Sequence, residues 1–343
     1  MKRIFSDPTG VLLVLFGVLA VSGIVLLCLA GGGAISRERI LPAEGVWNGS
    51  ERTEELSVNK AFAHVPDYDI EGFITIPLPE GASPDSCEVV QDISHRKTTV
   101  FIRDVPKDFY SEHPFSGASG DVTGMYYRYI DGTAELEILT DGILEAETME
   151  NNGKLYLGFV SPRECFPRIY VVDPGHGGDD PGHTSNGVME KDVALQLSLM
   201  LAGELSDESH GVYLTRSEDV SMGEEERSKL IRDLEADAVI GIHAEADPVT
   251  RVSSGVTADA LYGADPVIAG SIARAVSEAT GLDIFPGNDT EGCGGALIAG
   301  VPCYRVGFGF LTNKRDATFV SDGENELSAA RAIADAIRAS EEQ

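Results

Sequence analysis

From Ile169 to Arg338 short apolar runs alternate with longer amphipathic stretches, and that alternation constrains the fold class more than any other feature of the chain. Ile169–Val172, Val212–Leu214, Val239–Ile242 and Tyr304–Val306 read as strands, the first ending in a Pro and Gly turn. Lys191–Leu205 sets Val193, Leu195, Leu197, Met200 and Leu201 at spacings that suit a helix lying on a sheet. Glu224–Leu234, with Leu230, Ile231 and Leu234 on one face, Pro266–Thr280 and Glu324–Arg338 read as further helices. Strands that alternate with helices predict an α/β domain: a mostly parallel sheet with helices on both faces. In such sheets ligands collect at the carboxyl ends of the strands.

Three residues fall in suggestive places on that frame. His176 sits in Val171-Val172-Asp173-Pro174-Gly175-His176-Gly177-Gly178, just past the first strand. His243 sits in Ala238-Val239-Ile240-Gly241-Ile242-His243-Ala244, at the end of another, and Glu190 opens the helix after Gly187-Val188-Met189. A single buried histidine is most often structural. Two histidines at strand ends with a carboxylate make a three-ligand zinc site with an open fourth position for water, the set a metallohydrolase needs. Asp180-Pro181-Gly182-His183 repeats Asp173-Pro174-Gly175-His176, but only the first copy follows a strand. His176 is therefore the expected ligand and His183 a loop residue at the rim. No Cys-x-x-Cys occurs, which leaves no sign of a thiolate zinc site.

The stretch from about Arg168 to the C-terminus resembles the zinc-dependent N-acetylmuramoyl-L-alanine amidases of the type-3 fold. The matching pieces come in the family's order: the strand and DPGHGG turn, the Glu190-Lys191-Asp192 helix start, Val212-Tyr213-Leu214-Thr215-Arg216, Ile242-His243-Ala244, and Pro302 through Phe310-Leu311-Thr312-Asn313. The resemblance implies zinc-dependent hydrolysis of the amide between N-acetylmuramic acid and L-alanine in peptidoglycan. It also implies a glutamate for proton transfer on the strand before the Gly309–Asn313 turn, and there this chain has Gly307. Where the family pattern has an asparagine two residues past the second histidine, this chain has Glu245. If the strand runs on, Glu245 faces the way His243 does. It then has three possible roles: substitute base, fourth metal ligand that closes the site, or solvated carboxylate. Asp289 and Glu291 are further acids, read first as solvated loop carboxylates. Two functions follow: an amidase with altered acid and base machinery, or a catalytically impaired pseudo-amidase that binds zinc and holds wall fragments or a partner protein.

The rest of the chain sets location. Residues 10–30 carry no charge and are rich in Leu and Val, about 20 residues, long enough to cross a bilayer as a helix. A transmembrane anchor is expected there, with residues 1–9 cytoplasmic. The wall substrate implied by the resemblance puts the rest of the chain outside the cell membrane. Residues 31–67 read as a linker and residues 68–166 as a β-rich module, either a spacer or a wall-targeting domain. Gly72–Ile76, Thr98–Ile102, Ala134–Leu139 and Leu155–Val160 are its clearest strands, with hairpin turns at Asp131-Gly132 and Asn151-Asn152-Gly153. Residues 167–343 form the amidase-like domain. The formal net charge of -30 excludes a nucleic-acid partner, which needs clustered Lys and Arg. Five cysteines, one of them Cys28 in the span, make no dense disulfide framework; Cys293 with Cys303, or Cys87 with Cys165, are possible pairs.

Overall fold

The computed structural model describes residues 54–56, 72–82, 86–93, 95–287 and 293–341. The expected span over residues 10–30, and Asp289 and Glu291, lie outside the described residues. Among the described residues no helix is long and apolar enough to cross a membrane. Contacts divide the chain into two units, Met1–Cys165 and Phe166–Gln343.

The first unit is a pair of antiparallel sheets. Its strands are β1 (Glu54–Leu56), β2 (Ile74–Pro77), β3 (Cys87–Asp92), β4 (Lys97–Ile102), β5 (Ser116–Gly117), β6 (Val122–Ile130), β7 (Thr133–Thr140), β8 (Glu145–Asn151) and β9 (Lys154–Val160). One sheet has the order β1-β6-β7-β4-β3 and the other β5-β2-β9-β8. β1 lies inside the stretch read from sequence as linker. Alternation builds the core: Ala134, Leu136, Ile138 and Thr140 are the buried positions of β7. Ala134, Leu136 and Ile138 join Met125 and Val100 of the same sheet and Ile74, Leu155 and Leu157 of the other in one apolar cluster. The β6–β7 and β8–β9 hairpins turn on Asp131-Gly132 and Asn152-Gly153, all with positive φ, as tight hairpins require. Among the described residues the unit also holds two short helices, α1 (Phe109–Glu112) and α2 (Pro162–Cys165).

The second unit holds β10 (Arg168–Pro174), β11 (Thr184–Ser185), β12 (Val188–Met189), β13 (His210–Leu214), β14 (Ala238–Glu245), β15 (Val256–Leu261) and β16 (Cys303–Phe310). Its helices are α3 (Glu190–Leu205), α4 (Glu224–Asp233), α5 (Pro266–Thr280), α6 (Gly294–Ala299), α7 (Lys314–Phe319) and α8 (Gly323–Glu341). The main sheet has the order β13-β10-β14-β16-β15. Three of its pairings are parallel, and the last, β15 with β16, is antiparallel. The sheet is therefore mixed, which corrects the sequence expectation at one edge. β14 and β15 are joined by residues 246–255 without a helix, and a chain that returns without a crossover runs antiparallel.

Period-two alternation gives the sheet two chemically different faces. Tyr170, Val172, Ile240, Ile242, Ala244, Tyr304, Val306 and Phe308 face the apolar cluster built with Leu197 and Leu201 of α3, Ile272 of α5 and Ile333 of α8. Asp173, Gly241, His243, Glu245, Cys303, Arg305 and Gly307 alternate with them and occupy the other face. There α4 and α6 pack, and a Cβ on Gly241 would stand 2.6 Å from the Cys293 sulfur. After β10 the chain goes first to β13 on one side and then to β14 on the other. That reversal beside β10 is the switch point at which a doubly wound sheet opens a crevice.

Candidate metal centre

His176, Glu190 and His243 meet in that crevice. One ligating atom from each lies within 4.8 Å of the others. Nε2 of His176 is 3.1 Å from Oε2 of Glu190, and Nδ1 of His243 is 2.9 Å from Oε1. Glu190 and His243 are buried and His176 is half-buried. Each comes from a different element. His176 follows β10 at φ 60, a left-handed conformation that a non-glycine residue holds only under tertiary constraint. Glu190 is the first residue of α3, where the positive end of the helix dipole favours a carboxylate. His243 is on β14, next to β10 in the sheet.

The electrostatics describe a cluster that attracts cations. Burial pushes the Glu190 carboxyl up, but hydrogen bonds to His176 and His243 outweigh it and hold the group far below the usual carboxylate range. The hydrogen bond to Glu190 raises His176 to about 9 against the opposing effect of burial, with Asp180 adding to the rise. A proton on this imidazole stands where a divalent cation would sit, and metal binding displaces such protons. The surroundings leave room for an ion. A Cβ on Gly182 would fall 2.5 Å from Cδ2 of His176 and 2.8 Å from Oε2 of Glu190, and one on Gly175 would fall 2.3 Å from Cε1 of His243. Two nitrogens and one oxygen at these positions fit a zinc ion with an open coordination position.

The repeated Asp-Pro-Gly-His motif contributes through its other residues. Oδ2 of Asp180 lies 2.8 Å from Nδ1 of His176, and the His183 amide donates to Oε2 of Glu190 at 3.0 Å. The His183 imidazole is outside the cluster and lines the cleft. Two arginines that the sequence did not single out as functional hold the ligand loop from below. Arg227 donates to the carbonyls of Pro174 (2.9 Å) and His176 (2.8 Å) and pairs with Asp173. Arg216 donates to the carbonyls of Gly175 (2.8 Å) and Lys191 (3.0 Å). Burial and the neighbouring Arg227 charge lower Arg216 to about 10. Removing one member of such a buried pair costs about 3–5 kcal/mol, because the other charge is stranded. A signal for Arg227 was present: with Leu230, Ile231 and Leu234 it forms the i, i+3, i+4, i+7 stripe of α4, an odd place for a charge.

Glu245 departs from two of its three sequence expectations. It is buried rather than solvated, and the metal-capable cluster does not extend to it. Its Oε1 accepts from Thr257 Oγ1 at 2.9 Å and pairs with Arg305 Nη1 at 2.5 Å. Arg305 lines the cleft together with His243, Arg227, and Asp179, Glu224 and Glu226. Cys293 and Cys303 are buried free thiols with sulfurs 2.6 Å apart; Cys87 and Cys165 are also free.

Residues 171–339 match the family model described as N-acetylmuramoyl-L-alanine amidase. A sporulation-specific N-acetylmuramoyl-L-alanine amidase of Bacillus subtilis is 37% identical over 26% of this chain and 35% of its own length. A probable cell wall amidase, LytH, of Staphylococcus aureus is 28% identical over 50% of this chain and 57% of its own length. The chain thus spans between about a third and a little over half of these curated relatives. Among solved structures, an N-acetylmuramoyl-L-alanine amidase from Clostridium difficile 630 aligns over 51% of this chain and 97% of its own, with 22% identity and a TM-score of 0.47.

Proposed function

Because its C-terminal unit belongs to the N-acetylmuramoyl-L-alanine amidase family by the match over residues 171–339, we propose that this chain is a zinc-dependent peptidoglycan amidase. It hydrolyses the amide between N-acetylmuramic acid and L-alanine. The observation that carries the reading is the convergence of His176, Glu190 and His243 within 4.8 Å in an open cleft. These three residues would hold the ion, and bound zinc supplies a water of lowered pKa and a Lewis acid for the scissile carbonyl. Asp180 fixes the His176 ring, and Arg216 and Arg227 fix the backbone that carries it. The Glu245 carboxylate, on the same face of β14 as His243, is assigned to hold the proton in transit from water to the leaving amine.

The test is metal content and amine release together. Wild-type protein should bind one equivalent of zinc and free the L-alanine amine from a muramyl peptide. His176→Ala and His243→Ala should each lose both. Full zinc in both variants would remove the ligand assignment. A second reading is favoured by one observation, the engagement of Glu245 by Arg305: a pseudo-amidase that binds wall fragments or a partner without cleaving. Stoichiometric zinc with no amine released by the wild type would select it.

Location is part of the same proposal. Residues 10–30 would anchor the chain in the cell membrane as one span, with residues 1–9 inside and the two units outside, where the wall is. Residues 68–166 together with β1 would serve as spacer or wall-recognition module, the rest of residues 31–67 as linker, and residues 167–343 as the catalytic domain. Protease added to intact cells stripped of their wall should then digest both units; protection of both would reverse the orientation.

A further inference from the structure

Gly307 lies at the centre of a tightly filled spot on the site face. It is the Cα partner of His243 on one side and of Thr257 on the other. A Cβ built on it would stand 2.0 Å from Glu245 Oε1 and 2.4 Å from Thr257 Oγ1. A Cβ there would oblige the Glu245 carboxylate and the Thr257 hydroxyl to move, so the Glu245 carboxylate occupies the volume that a side chain at 307 would enter. The strand geometry explains how a β14 side chain comes to lie over β16. Between His243 and Glu245 β14 advances two residues, while β16 advances three, from Gly307 to Phe310. This bulge is built on Gly309, at φ 75, whose own Cβ would meet Val320 at 2.5 Å. It displaces Glu245 from a position opposite residue 309, and its side chain reaches back across Gly307 toward Arg305 and Thr257.

We propose that Glu245, Gly307, Arg305 and Thr257 are one interdependent unit, in which Gly307 clears the space for a carboxylate delivered from β14 and Arg305 and Thr257 position that carboxylate on the sheet face that carries His243. The glycine is then half of an exchange between two strands and not a deletion of function. The proposal rests on the amidase reading of the cleft. Arg305 and Thr257 act through Glu245 and are positioning residues. The planar guanidinium fixes the direction of the carboxylate, which a lysine ammonium does not do. Adding a glutamate at 307 to the intact protein therefore does not restore anything; it forces two side chains into one volume.

The experiment is a double-mutant cycle on the full chain, read by thermal unfolding, zinc content and steady-state kinetics on a muramyl peptide. Gly307→Glu alone should lower the unfolding temperature and should not raise kcat. Glu245→Ala should keep zinc and lose about 10²–10⁴-fold in kcat with little change in KM, the usual loss for a proton-transfer group. The double variant Glu245→Ala/Gly307→Glu, in which the new carboxylate enters the vacated space and meets Arg305, should recover at least a tenth of the lost kcat and most of the lost stability. Arg305→Lys should lower kcat more than it changes KM while zinc stays bound. Additive effects on unfolding temperature, or a stable Gly307→Glu protein at full activity, would overturn the unit. Should Glu245→Ala fail to fold, Glu245→Ala/Arg305→Met removes both charges. Gly307→Ala should then destabilise the wild type and not that background, and equal destabilisation in both would equally overturn the proposal. A wild type without turnover that still shows the coupling in unfolding temperature would sink the amidase reading and leave the steric unit standing.

Discussion

Asp180 is 66% exposed in its side chain, yet it is fixed by two partners. The His176 imidazole and the Gly182 amide both hold its carboxyl below the usual range. A carboxylate on the far nitrogen of a ligating imidazole sets the tautomer and aims the other nitrogen at the metal. Asn at this position keeps the size and loses the charge. Asp180→Asn should therefore fold normally and bind zinc about 10–100-fold more weakly, measured by competition with a chelator. Unchanged affinity would show that Glu190 alone holds the ring. The convergence of His176, Glu190 and His243 was legible in the sequence, because strand ends gather functional residues and the motif at His176 follows a strand. The role of Asp180 was not. It depends on the second motif copy folding back onto the first, which no periodicity encodes.

At the scale of elements, the strands that the sequence showed were those rich in β-branched residues, such as Ile169–Val172 and Val239–Ile242. β15 was missed because Val256-Thr257-Ala258-Asp259-Ala260-Leu261 mixes small and acidic residues, a composition typical of loops. Its alternation has meaning only in the fold, where Thr257 reaches Glu245. The helix α6 and the α7 turn were too short for a period to register. The terminal helix was visible by its apolar stripe, but the stripe contains Glu326, which is 6% exposed. Burial, helped by the charge of Asp322, raises its carboxyl to about 7. The folded state then holds a proton that the unfolded chain has already released above its ordinary value of 4.5. Stability contributed by the protonated group is full below 4.5 and is lost as pH rises to about 7. Glu326→Gln should remove that decline and stabilise the protein at pH 8 by roughly 1–3 kcal/mol, read from unfolding temperatures across pH. A parallel pH profile in wild type and variant would show that water reaches the carboxylate.

At the scale of the whole molecule, charge and architecture act on different steps. The two units have separate apolar cores, one drawn from β2 to β9 and the other from β10 to α8, so each has its own source of stability. The formal net charge of -30 is a property of the surface as a whole and does not enter the fold argument. A cell wall with anionic polymers repels such a surface, and the repulsion is set by the screening length. That length falls from about 30 Å at 0.01 M salt to about 8 Å at 0.15 M. Hydrolysis of intact wall sacculi should therefore speed up several-fold over this range, since the approach of two large anionic bodies is being screened. Hydrolysis of a small uncharged muramyl peptide should hardly change, because its recognition is confined to the cleft, where Arg227 and Arg305 stand against Asp179, Asp180, Glu224 and Glu226. The comparison separates approach from chemistry. If salt accelerates both substrates alike, the effect lies in the cleft and the surface charge is irrelevant to wall binding. If salt slows sacculus hydrolysis, a basic patch outside the cleft must be binding the polymer, and the net charge has been the wrong guide.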